Sequence, residues 1–268
     1  MVSDCQKLAE NPEFEPRPFK TDDDNQSVKD LNHLEAEFFF PFLAHSPMEP
    51  LNCIIEPTKN GVRFYDGCQN PSGVQWASSY ILGLQPQQIE VKTIYAGGSF
   101  GRRNSPAVKD LYQAEAAIAF ALLGKKTPVK LVWDREDDIG GGYYRPMAFH
   151  KTKIGIDAKG KILRWDHRIA TKSILKGTDF EKFLVHNGVD HFSVEGCVDT
   201  LYQLPNMSVG LSDFKSPIPV LWWRGVGHTH TAYAMESLLD MVAQRTGKDP
   251  IELRLDLLNS NDLKQQRM

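Results

Sequence analysis

The residues best placed by type and spacing to do chemistry lie in the stretch YAGGSFGRRNSP, residues 95–106. Gly97, Gly98 and Gly101 enclose Ser99 and Phe100, and Arg102 and Arg103 follow. Glycine lets a backbone come close to a ligand. A helix N-terminus offers unpaired N–H groups and positive partial charge to an anion, and guanidinium groups suit phosphate. An ordinary tight turn would account for the glycines but not for the arginines. An aromatic ring between glycines either plugs a core or covers a ligand. The stretch lacks the Lys-Ser or Lys-Thr of a nucleotide P-loop and the spacing of a dinucleotide fingerprint. The expectation is contact with an anion or cofactor of another kind.

A second stretch, WWRGVGHTHTAYAMESLLD at residues 222–240, repeats the theme: Arg224, Gly225 and Gly227 stand before a helix. His228 and His230, two apart, could face one metal from an extended backbone, but no third ligand is near, so no metal is expected. Polar contact with a bound group, or a solvated turn, is preferred. Arg224 beside Trp222 and Trp223 could also be a stacked structural cation. In AHSPMEPLN, His45 and Glu49 could do acid–base work or tie two loops together, and the second reading is preferred. No Gly-x-Ser-x-Gly, His-Glu-x-x-His or EF-hand pattern occurs.

The elements that must position these residues read as follows. LEAEFFFPFL (34–43) alternates as a strand, and LNCIIEP and VRFYDG form a hairpin across Asn60-Gly61. Asn70-Pro71 opens a helix with Val74, Ala77, Ile81 and Leu84 on one face, ending near Gly83. The strand IEVKTIY runs into the glycine loop. Ser105 and Pro106 suit the start of a second helix, with Val108, Leu111, Tyr112, Ile118, Ala119 and Leu122 inward and Glu115 at the edge of that stripe. Further strands are PVKLVW, a pair around Asp157–Gly160, NMSVGLSD and IPVLWW. Thr231 suits the cap of a helix ending at Gly247, and Asp249 with Glu252 forms a capping box for the last one. Hairpins with interspersed helices predict an α+β fold of mixed sheets and packed helices, in two similar sub-halves, rather than a doubly wound parallel sheet. The expected organisation is a polar lead-in or upstream remnant at 1–30, a first half at 31–130 and a second half at 131–268.

A net charge of -3 gives no basic field for nucleic acid. No apolar run approaches the ~20 residues of a membrane span, and the first residues hold no apolar signal core. Cys5, Cys53, Cys68 and Cys197 show no C-x-x-C spacing, so they read as scattered buried thiols, with no iron–sulfur cluster or structural zinc in this chain.

Taken in order, HSPMEPLN, QNP, GGSFGRR, VWDREDD, YRP, WWRGVGHTHTAYAMESLLD and GKDPIELRLDLL resemble the molybdenum hydroxylases, the family of xanthine dehydrogenase and aldehyde oxidase. The resemblance runs over residues 34–258 and is strongest to the branch of the isoquinoline 1-oxidoreductase beta subunit. It implies that Gly97, Gly98, Ser99, Phe100, Gly101 and Arg102 approach a molybdenum-bearing pterin. Gly225, Gly227 and His228 would line the same cofactor, with Arg224 in a catalytic position near the substrate or the metal's ligands. The implied cofactor is molybdopterin cytosine dinucleotide, and the implied partner is a small [2Fe-2S] subunit carrying the iron–sulfur clusters. The implied reaction is hydroxylation of an N-heterocycle or aldehyde, with water as the oxygen source. Gly-Gly-Ser in place of Gly-Gly-Gly, and His228-Thr229-His230 in place of a Pro-Gln pattern, turn the reading away from xanthine. The rival reading is a non-catalytic module that holds an anionic ligand or partner at two glycine-loop helix starts. The compartment is not fixed by the sequence.

The family's catalytic glutamate belongs to a later domain and has no counterpart in these residues, so the chain is expected to be one domain of a longer subunit. The purified 268-residue chain should turn over neither isoquinoline nor an aldehyde in a steady-state assay; measurable turnover would reject this.

Overall fold

Alternating apolar and polar residues build two mixed sheets, each backed by helices. The computed structural model describes residues 2–18, 31–104 and 111–258. The chain opens with α1 (Val2–Glu10), β1 (Phe14–Arg17), β2 (Asn32–Phe40) and β3 (Leu43–Ala44). It continues through β4 (Asn52–Thr58), β5 (Gly61–Asp66), α2 (Pro71–Leu82), β6 (Ile89–Thr93), α3 (Tyr112–Leu122) and β7 (Val129–Val132). Next come α4 (Arg135–Gly140), β8 (Tyr144–Arg145), β9 (Ala148–Ile156), β10 (Ile162–Thr171), α5 (Glu181–Leu184), β11 (Val185–His186) and β12 (Val189–Asp190). β13 (Met207–Asp213), α6 (His228–Thr246) and α7 (Pro250–Asp256) complete it.

The sheets, ordered β6-β5-β4-β7 and β1-β13-β10-β9-β2, share a plan. An antiparallel hairpin, β4–β5 or β9–β10, is followed by a strand parallel to its second member, β6 or β13. Then comes a glycine loop and then a helix, α3 or α6. In each sheet a fourth strand, β7 or β2, lies antiparallel to the first hairpin strand. The halves differ in the origin of that strand: β7 follows its own helix, whereas β2 precedes both hairpins. Residues 32–40 thus serve the sheet of the later residues, although the sequence groups them with the earlier ones.

Each sheet has its own core. Ile55, Phe64, Val74, Ile89, Ala116, Ala117 and Phe120 fill the first. Ile154, Trp165, Ile169, Val209, Leu238 and Val242 fill the second. Truncating a buried ring such as Phe120 to alanine costs about 3–5 kcal/mol. Two of the expected N-caps form, although at Asp249 only the Asp side of the box is present and Thr231 lies inside its helix rather than capping it. Asn70 accepts from the Gly73 N–H at 3.0 Å, and Asp249 accepts from Ile251 and Glu252 at 2.8 and 3.1 Å.

Several expectations need correction. Residues 2–17 are not a loose lead-in: Cys5 and Ala9 are buried against Met147, Phe149 and Ala170, and β1 pairs with β13. The apolar face of α1 is too short to stand out against its polar neighbours. In the hairpin, Thr58 pairs with Gly61, so the turn is Lys59-Asn60. The buried face of α3 is Tyr112, Gln113, Ala116, Ala117 and Phe120, whereas Ile118 and Leu122 are exposed. Small alanines, not the largest aliphatics, let this helix lie close to its sheet. Glu115 is exposed and accepts from Trp133 Nε1 at 2.9 Å. Ser105, Pro106 and Val108 lie outside the described residues. IPVLWW forms no strand; only Val220 bridges to Tyr144. All four cysteines are buried and free.

The second core contains a chain of three buried imidazoles. His150 Nδ1 lies 2.7 Å from His167 Nε2, and His150 Nε2 lies 2.8 Å from His230 Nδ1. Trp165 Nε1–H donates to His167 Nδ1 at 3.4 Å. An indole can only donate, so protons are assigned to Nε2 of His167 and then to Nε2 of His150. Burial lowers His167 and His230 to about 3, and burial with its two neighbours holds His150 well below the usual range. The unfolded chain takes up these protons below ~6.5 and the folded chain does not. Stability is therefore greatest well above pH 6.5 and declines on acidification, by at most on the order of 1 kcal/mol per histidine per pH unit. The urea midpoint should drop clearly between pH 7 and pH 5; an unchanged midpoint would contradict neutral, buried rings.

Candidate functional site

The first glycine loop leaves β6 and turns sharply. Gly98, Phe100 and Gly101 have φ of 97°, 56° and 101°. Holding a phenylalanine in the left-handed region costs about 1–2 kcal/mol, so its surroundings must fix it. The Glu49 carboxylate accepts from the Gly97 N–H at 2.6 Å and from Arg103 Nη2 at 3.0 Å. Glu49 N–H donates back to the Gly97 carbonyl at 3.0 Å. Arg103 Nε donates to the Gly98 carbonyl at 2.9 Å, and Ser99 Oγ accepts from Arg103 N–H at 3.1 Å. The Gly97 N–H, then Asn52 and Arg103, hold the Glu49 carboxyl below its usual range.

Arg102 is equally committed. Its buried guanidinium donates to Asp138 at 3.2 Å and lies over the rings of Trp133 and Tyr143. Both arginines thus point inward and rivet the loop, and neither is turned outward to receive a phosphate. That corrects the expectation for Arg102 as a cofactor contact. His45 and Glu49 do not pair; each ties a different loop.

The second loop has Gly225 at φ 92° and Val226 at 47°. Gly227 N–H donates to Glu195 Oε1 at 2.6 Å, and a side chain on Gly227 would lie 2.3 Å from the Phe192 carbonyl. The N–H groups of His228, Thr229, His230 and Thr231 donate back to Gly225, Val226 and Gly227 carbonyls. The start of α6 is therefore closed to an anion. The helix begins at His228 rather than at Thr231, so the two histidines diverge. His230 is buried in the imidazole chain. His228 is exposed, 3.6 Å from Glu195, in a separate recess of about 190 Å³ with Asp199, Tyr202 and Glu236. The structure thus brings neither Gly227 nor His228 to the first loop.

It does bring Arg224 there. Arg224 N–H donates to the Phe100 carbonyl at 2.9 Å. Gly101 lies flush against the Trp222 carbonyl, which a Cβ would approach to 2.3 Å. The Phe100 and Trp223 rings stack, 6.2 Å between centroids and 17° between planes. Gln69, Phe100, Gly101, Asn104, Trp223 and Arg224 line an open cleft of about 470 Å³ between the loops.

Several polar groups in and beside this cleft are unspent. The N–H groups of Gly98, Ser99, Phe100 and Gly101 donate to no acceptor among the described residues. Asn104 Oδ1 is buried without a partner, and the exposed Arg224 guanidinium has no hydrogen-bond or ion-pair partner among those residues. Convergent unpaired donors beside apolar rings are what a ligand site requires. Gln69 and Asn104 escape a reading by residue type. Gln69 could have been found from its place just before the Asn70 cap, which fixes it near the loop; its N–H donates to the Arg103 carbonyl at 3.2 Å.

The molybdopterin cofactor-binding domain family matches residues 9–258. The isoquinoline 1-oxidoreductase subunit beta of Brevundimonas diminuta is 29% identical over 218 residues, 81% of this chain and 27% of that protein. The crystal structure of quinoline 2-oxidoreductase from Pseudomonas putida 86 superposes with a TM-score of 0.72 at 20% identity, covering 90% of this chain and 30% of that one. Aldehyde oxidoreductase from Desulfovibrio gigas gives 0.67 at 20% identity, over 94% and 27%. The chain spans between a quarter and a third of the length of these relatives. A match over nearly the whole chain, on a fold that brings two glycine loops together at one cleft, places this protein in the molybdopterin cofactor-binding domain family of the molybdenum hydroxylases.

Proposed function

We propose that the cleft between the Phe100 and Arg224 loops holds the molybdenum-bearing pterin of a hydroxylase acting on a heteroaromatic ring or an aldehyde. The observation that carries this reading is the run of four amides, Gly98 to Gly101, that donate to no acceptor among the described residues, with Phe100 and Gly101 lining the cleft. Such a run of donors suits the oxygen acceptors of an anionic group. When bound, that cofactor supplies the two-electron oxidation of carbon, with water as the oxygen source.

This chain's residues have distinct parts in the proposal. The amides of Ser99, Phe100 and Gly101 hold the cofactor. Phe100 and Trp223 form an apolar wall that limits water. Gln69 and Asn104 orient polar edges. Arg224, the exposed arginine of the two loops among the described residues, stabilises negative charge that develops on the substrate. Phosphates of a cytosine dinucleotide form would be held by the first loop's amides or by residues outside this chain, since the α6 start is closed. The general base and the small [2Fe-2S] partner subunit lie outside the chain in this reading, which leaves the isolated domain inactive. The rival, a module binding an anion at two helix starts, is disfavoured because Glu195 already occupies one of them.

Three variants of the full-length protein test this. Gly101→Ala places a Cβ 2.3 Å from the Trp222 carbonyl and should force the loops apart. Gly124→Ala, with no atom within 4 Å, meets only the backbone penalty, about 1 kcal/mol. The first should lose most of its molybdenum and pterin and the second should keep them; equal retention in both would overturn the assignment. Arg224→Ala should keep its pterin while kcat falls on the order of 100-fold or more; an unchanged kcat would remove Arg224 from the chemistry.

A further inference from the structure

β3 pairs with β8, Val220 bridges Tyr144, and Leu221 N–H makes the last ladder bond, to the Tyr144 carbonyl at 2.9 Å. Beyond Leu221 the chain leaves the sheet, yet it must deliver Trp222 and Arg224 accurately to the first loop. The side chain that meets it there is His45, only 3% exposed. His45 Nε2 is 2.9 Å from the Trp222 carbonyl, and Nδ1 is 3.2 Å from the Tyr143 carbonyl. Its ring also stacks on Trp223, 5.0 Å between centroids and 24° between planes.

We propose that His45 is the positioning residue of the site: its Nε2–H holds the Trp222 carbonyl and thereby sets the gap between the two loops. Both ring nitrogens face carbonyl acceptors, and a neutral imidazole has one N–H to give. The shorter contact takes it. Burial holds the ring neutral against the pull of the two carbonyls, with Arg102 opposing a positive charge and Asp138 favouring one. Among the described residues, His45 is the donor to the Trp222 carbonyl. That same carbonyl abuts Gly101, and two residues on, Arg224 N–H meets Phe100. A displacement at Trp222 therefore passes into both contacts that join the loops. The functional meaning of this role rests on the cleft being the cofactor site, but its test does not.

The test is amide hydrogen exchange on the 268-residue chain and three variants. His45→Phe keeps a ring against Trp223 but has no donor. His45→Gln carries an N–H to the Nε2 position without the ring, and His45→Asn carries one to the Nδ1 position, facing Tyr143. The Arg224 amide should exchange about tenfold faster in His45→Phe and His45→Asn, as expected for loss of one hydrogen bond. His45→Gln should stay close to the wild type, and the Ala243 amide deep in α6 should be unchanged throughout. An equally protected Arg224 in His45→Phe would overturn the proposal, and so would a His45→Gln as fast as His45→Asn. If His45→Phe does not fold, the contrast between His45→Gln and His45→Asn decides alone. A full-length protein found to carry no pterin would sink the cofactor reading and leave this result standing.

Discussion

One backbone hydrogen bond, from Arg224 N–H to the Phe100 carbonyl at 2.9 Å, joins the two halves of this domain at the place where chemistry is proposed. It can form only because both loops hold unfavourable backbone. Phe100 and Val226 each adopt a positive φ beside a glycine. The halves meet that demand in the same way. A carboxylate fixes a glycine N–H in each loop at 2.6 Å, Glu49 for Gly97 and Glu195 for Gly227. Both holds are made by the chain's own carboxylates. A cleft fixed by such internal bonds spends little binding energy on reorganisation.

Charge is divided with equal economy. A buried guanidinium is tolerated only when it is paired and hydrogen-bonded. Arg103 meets Glu49 and backbone carbonyls, and Arg102 meets Asp138 between two aromatic rings. Their charges hold the loop in shape. The outward cation is Arg224, and the outward donors are amides. The first loop therefore presents partial positive charge from its backbone, and the second presents a full charge from a side chain, to the same cleft.

The local devices of the fold were readable from the residues. Asn70-Pro71 and Asp249-Pro250 begin helices where expected, and the strands around Asp157–Gly160 pair as expected. Each of these rests on contacts within a few residues. The failures are long-range. The small apolar side of α1 has meaning only once β9 and β10 lie beneath it. Nothing near residue 227 says that its N–H belongs to Glu195. Likewise, Arg102 reads as a phosphate ligand until Asp138 closes on it. Which donors stay free is decided by tertiary partners, and that is the information a ligand site consists of.

The central claim is that the amides of the first loop, and not the start of α6, receive the anionic part of the cofactor. The most direct test is to titrate a pterin phosphate into the isotopically labelled chain and follow its backbone amide resonances. The account predicts that Gly98, Ser99, Phe100, Gly101 and Arg224 shift together as the ligand is added. Shifts confined to Gly227 through Thr231, with the first loop unmoved, would contradict it.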